Sequence, residues 1–90
     1  MGSNSLNNLK LIGIYKEIDG IFEKIMILTE KEKDNKKWLE TCLELLKQID
    51  RIFANAYENI ESEYERTFID HYHNEIMGLS KLLLQARANL

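Results

Sequence analysis

Proline is absent from the 90-residue chain, and glycine occurs only at positions 2, 13, 20 and 78. Those two residue types are the strongest breakers of a helix: proline lacks the N–H donor, and glycine carries the largest backbone entropy. Runs of period two rich in β-branched residues, the mark of a half-buried strand, are also missing. Apolar residues recur at steps of three and four, which places them along one face of a helix. The chain is therefore expected to be all-α, and its architecture turns on where the helices stop.

Helix 1 is expected from about residue 5 to 31. Leu11, Ile14, Ile18, Ile21, Ile25 and Leu28 form its stripe, widened by Tyr15 and Phe22. Asn4 or Ser5 is placed to cap its start, since a short polar side chain accepts from the unpaired N–H groups of a first turn. Residues 1–4 are expected to be a disordered or vector-derived start. Gly13 and Gly20 fall inside this helix and are expected to relieve crowding against a neighbouring helix, each costing about 1 kcal/mol relative to alanine. The stretch EKEKDNKK, residues 30–37, contains no apolar side chain and reads as a connection, with Asp34 or Asn35 as the next cap.

Helix 2 is expected over about 35–59. Leu39, Cys42, Leu46, Ile49, Phe53, Ala56 and Ile60 keep a heptad register. Trp38, Leu43, Leu45, Ile52 and Tyr57 broaden the stripe on both sides, as in a helix that touches two neighbours. Beyond Ile60 the register meets Glu63 and Thr67 and fails. It resumes on Tyr64, Phe68, Tyr72, Ile76, Leu79, Leu83, Ala86 and Leu90. At the failure, Ser62 precedes Glu65 by three residues, the spacing of a capping box, and Glu61, Glu63 and Glu65 favour a helix start through the helix dipole. This predicts a turn near Asn59–Ser62, helix 3 over about 62–89, and a three-helix antiparallel, up-down-up bundle as one domain over 5–90. The alternative is a helical hairpin whose second helix runs unbroken from about 36 to 90 and dimerises into a four-helix bundle.

Little in the sequence points to chemistry. Asp70, His71, His73 and Glu75 concentrate classical ligands, and a metal-binding bundle is a rival reading. A site needs three or four convergent ligands, however, and helices 1 and 2 supply no Glu-x-x-His. No resident metal or cofactor is expected. The single Cys42 occupies a seam position, and the expected turn sets it level with about residue 82, well away from either histidine. No phosphate-binding glycine loop or nucleophile–base pair is present. An enzyme is not expected.

The formal net charge is −3, with a pI of about 5.4, and no helix face gathers Lys or Arg. A general nucleic-acid binder carries a basic excess instead. No apolar run reaches the length of a membrane span, and Ser3–Lys10 does not read as a signal peptide. A lone cysteine suits a reducing, cytoplasmic setting. The Lys/Glu/Asn/Ile-rich composition suggests an AT-rich bacterial or phage genome.

Surplus hydrophobicity is the stronger functional signal. Ile12, Met26 and Ile27 lie off the stripe of helix 1, and Leu84 lies off that of helix 3. Glu58, Glu61, Glu63 and Glu65 make one end acidic. These eight residues are the expected partner-binding positions: the apolar ones on helices 1 and 3, which are expected to pack together, and the acidic ones at the 58–66 end. The reading is a protein-binding or regulatory adaptor of the inhibitor, immunity or chaperone-like kind, self-associating or in a hetero-complex. The runner-up is a structural self-associating bundle. Small immunity proteins and phage-encoded inhibitors are similar in size and class.

Overall fold

The computed structural model describes residues 2–88, with side chains from Leu9 onward. The described residues form three helices: α1 (Gly2–Lys31), α2 (Asn35–Glu58) and α3 (Glu63–Ala88). They form the expected antiparallel bundle, in which α1 packs on α2 and α2 on α3. The long-helix alternative is not the structure, because residues 59–62 leave helical geometry and the chain reverses there. α1 and α3 run parallel and their backbones approach less closely than either pair with α2, contrary to the expected close packing.

Boundaries follow local chemistry. α1 begins at Gly2, so Asn4 and Ser5 lie within its first turn and not at the position that precedes it. Residues 2–4, expected outside the fold, have helical backbone. Met1 and the expected seam residue Leu90 are outside the described residues. Asp34 caps α2 with extended backbone, and its Oδ1 accepts from the N–H groups of Lys36 (3.0 Å) and Lys37 (3.2 Å). The reversal between α2 and α3 needs no glycine: no described residue has a positive φ, and Asn59 closes α2 with its N–H on the Ala56 carbonyl.

The core is a single apolar column. Leu11, Ile18 and Ile25, seven apart, are its α1 contribution, with Ile14, Ile21 and Leu28 half-buried beside them. α2 supplies Trp38, Cys42, Ile49, Phe53 and Ala56. The expected seam on α2 holds except at Leu39, which is exposed while Trp38 takes the buried place. On α3 the expected line is displaced. Glu65, Ile69, Tyr72, Ile76 and Ser80 are buried, whereas Tyr64, Leu79 and Ala86 are exposed. The buried line of α3 carries two polar residues, Ser80, which donates to the Ile76 carbonyl at 2.8 Å, and Glu65, which faces Lys10 of α1, and so it does not read as a continuous hydrophobic stripe.

The two glycines of α1 require a further correction. A Cβ built on Gly13 or Gly20 would meet nothing within 4 Å, and both residues are exposed. They relieve no crowding and leave only their entropic cost. Gly13→Ala and Gly20→Ala are each expected to stabilise the protein by about 0.5–1 kcal/mol, read as a higher denaturant midpoint at constant slope. A loss of stability in either variant would show that a neighbour does occupy that space.

Candidate functional site

The surface left for a partner is what remains after both ends of the bundle are locked. At the turn end, Glu65 is fully buried, which overturns its assignment to an exposed acidic partner patch. Its backbone N–H donates to Ser62 Oγ at 3.2 Å, completing the predicted serine cap. Its Oε1 lies 2.8 Å from Lys10 Nζ of α1, an ion pair held by charge, outside hydrogen-bond geometry. The same ammonium donates to the Asn59 carbonyl at 2.6 Å. A buried carboxylate must be paired, and a cation suits the carbonyls at a helix C-terminus. Lys10 therefore ties α1 to both the end of α2 and the start of α3. Glu58, Glu61 and Glu63 stay exposed, so the acidic end comprises three carboxylates and not four.

At the opposite end, Arg87 of α3 reaches over the α1–α2 connection. Its guanidinium donates to the carbonyls of Thr29 and Glu32 and to Asn35 Oδ1, and it lies 5.0 Å from the Trp38 ring centroid. The Trp38 indole N–H donates to Thr29 Oγ1 at 2.9 Å. Arg87 thus occupies carbonyls that the end of α1 leaves unpaired, where a cation is favoured.

The candidate ligand cluster does not assemble. Asp70, His71 and Glu75 are exposed and His73 is half-buried. Tyr57 donates its hydroxyl to Asp70 Oδ1 at 2.7 Å and lies 3.3 Å from His73 Nδ1. The His73 ring also stacks on Phe53 at 4.6 Å. Asp70 and His73 are thereby engaged with an aromatic pair. Among the described residues no three His, Cys, Asp or Glu side chains converge on one point. Cys42 is buried, and burial pushes its thiol up, with Arg87 opposing. It packs among Ile25, Leu46, Ser80 and Leu83, at the level predicted for it, remote from the histidines.

The apolar candidates divide. Ile12, Met26 and Ile27 are exposed as expected. Ile12 and Met26 belong to the α1 side that meets α3, where Tyr15 stacks on Tyr72 at 5.1 Å. Leu84 is half-buried against the core and faces the other way, into a groove between α2 and α3. That groove has a volume of about 670 Å3, with Leu43, Leu46, Ile76, Met77 and Leu84 in its walls. Leu84 also borders a smaller hollow of about 320 Å3 beside Trp38 and Leu39, which extends the groove toward the Arg87 end. Leu43 and Met77, which line this groove, are not among the partner-binding positions expected from the sequence. The signal was the breadth of the α2 stripe, in which Leu39 and Leu43 have no third helix to cover them.

No helix in the described residues is long and apolar enough to cross a membrane. No family model, curated protein or solved structure matches the chain.

Two measurements probe this arrangement. Lys10→Met leaves the Glu65 carboxylate buried without its cation and is expected to cost about 3 kcal/mol in chemical denaturation, whereas Lys10→Met combined with Glu65→Leu recovers most of it. A single variant as stable as the parent would mean that Glu65 is not buried. The second measurement is alkaline melting. Burial, then the Asp70 hydrogen bond and charge, hold the Tyr57 hydroxyl at about 12, against the opposing Arg66. Burial, with Asp19, Tyr15 and Glu75, holds the Tyr72 hydroxyl at about 12 as well. Both folded values lie above the unfolded value near 10. The stability they confer is complete below pH 10 and is lost as pH rises to 12. The melting temperature should fall across that window, and less steeply in Tyr57→Phe/Tyr72→Phe. Equal slopes would contradict the burial of these hydroxyls.

Proposed function

We propose that the chain is a non-catalytic protein-interaction module whose contact surface is the groove between α2 and α3. The observation that carries this reading is the groove itself, concave and apolar, with Leu43 and Met77 half exposed at its mouth (45% and 50%). A helix pair that has buried only one side against α1 presents the other as a seat for further helices, the helix-in-groove mode of recognition. Contiguous apolar surface at a concavity has a different meaning from isolated exposed leucines. The exposed Glu58, Glu61 and Glu63 flank the turn end and favour a partner with basic residues at that position. A reducing, cytoplasmic setting suits the lone buried thiol.

The test is site-specific photocrosslinking in the native cells. A benzophenone side chain at Leu43 or Met77 is expected to yield a discrete protein adduct, while the same group at exposed Glu23 on α1 yields none. Adducts at Glu23 as abundant as at Leu43, or none at either groove position, would remove the groove as the contact surface.

A further inference from the structure

We propose that the occupant of the α2–α3 groove is a second copy of this chain, docked about a two-fold axis perpendicular to the helices. α2 then lies antiparallel on its symmetry mate, and α3 on its own, as a four-helix layer with the two α1 helices outside. This rests on the interaction-module reading above and adds its occupant.

The first support is surface area. The protein exposes 6468 Å2, whereas a globular monomer of 10.6 kDa exposes about 5,500 Å2. Its radius of gyration is 15.1 Å, against about 12 Å for a compact domain of this length. The surplus of about 1,000 Å2 is comparable to the ~800 Å2 that each partner buries in a standard stable interface. The α2–α3 face is also long enough: α2 has 24 residues, or about 36 Å of helix.

The second support is register. A two-fold interface must be self-complementary, residue i meeting j while j meets i. Lys47 and Asp50 both line the groove on α2. Being three residues apart, they share a helical face. An antiparallel α2 centred between them places each copy's lysine against the other's aspartate, twice over. The level of that centre on α3 is fixed by pairs that cross between the helices: Tyr57 with Asp70, Phe53 with Tyr72, and Trp38 with Arg87. The midpoint of Lys47 and Asp50 falls beside Met77 and Gly78, which also line the groove. The two Met77 side chains then meet on the axis, and Gly78, around which a Cβ would find open space, leaves room for close approach. The formal net charge of only −3 sets little repulsion between copies.

Sedimentation equilibrium of the full chain from micromolar to millimolar concentration is expected to give the mass of two chains, twice 10.6 kDa. Lys47→Asp and Asp50→Lys should each weaken association about tenfold or more by opposing like charges, with helicity unchanged by circular dichroism. The exchanged pair Lys47→Asp/Asp50→Lys restores the complementary pattern and should recover it. Met77→Cys should form an intermolecular disulfide on mild oxidation, because only residues near the axis bring their own Cα atoms within the ~7 Å that a disulfide spans. This readout holds even if a charge variant fails to fold. A monomeric mass at millimolar concentration overturns the proposal, as does dimerisation insensitive to both charge reversals and without the Met77→Cys crosslink. In the monomeric case, surviving adducts at Leu43 in cells would leave the interaction-module reading standing with a different occupant. Loss of the adducts would end both.

Discussion

The reversal at residues 59–62 depends on one buried carboxylate. Glu65 lies in the first turn of α3 at a position that a bundle normally fills with a hydrocarbon. Its charge is tolerable there because Lys10 reaches it from α1 and Ser62 caps its N–H. Lys10 simultaneously holds the Asn59 carbonyl at the end of α2. A single ammonium group therefore meets all three elements. Buried ion pairs contribute little net stability, since desolvation offsets attraction, but they penalise every arrangement that leaves one partner alone. A continuous helix through residue 60 would carry Glu65 far from Lys10. The pair thus selects the compact bundle over the rod more than it strengthens it.

Arg87 does the corresponding work at the other end, threading α3 into the carbonyls that terminate α1. Between these two polar clamps the core is a narrow column of isoleucines with Phe53 and Trp38. A column this thin covers α2 on the α1 side and leaves its outer flank open. The groove lined by Leu43 and Met77 is a consequence of that geometry: three helices of this length enclose one seam well and cannot enclose two. A proposed function in association follows from a fold that leaves apolar surface uncovered.

The helices, their number and the place of the turn were legible in the sequence because each has a local cause. The seam breaks at Glu63, and the Ser62–Glu65 spacing marks a helix start; Asp34 does the same for α2. What stayed hidden was non-local. Glu65 and Arg87 reach inward from α3, and each is acceptable only through a partner distant in sequence, Lys10 for the one and the Thr29 and Glu32 carbonyls for the other. The apolar stripe of α3 is therefore legible at Tyr72 and Ile76 and misleading toward its ends, where Tyr64 and Leu79 are exposed and Glu65 and Ser80 are buried. The burial of Glu65 is equally hidden, since a run of alternating glutamates gives no sign of which one turns inward. The groove was half legible: the breadth of the α2 stripe showed that α2 faces two directions, but not that α3 covers only part of the second.

The central claim is the reversal itself, and a distance measurement decides it. Nitroxide labels at exposed Lys36 and Gln85, in a sample diluted with unlabelled chain, report the separation of the start of α2 from the end of α3 by pulsed electron spin resonance. The bundle predicts a distance below roughly 25 Å, set by the ~10 Å spacing of packed helices plus the label arms. A distribution centred near 75 Å, the length of about 49 residues of unbroken helix, would contradict it.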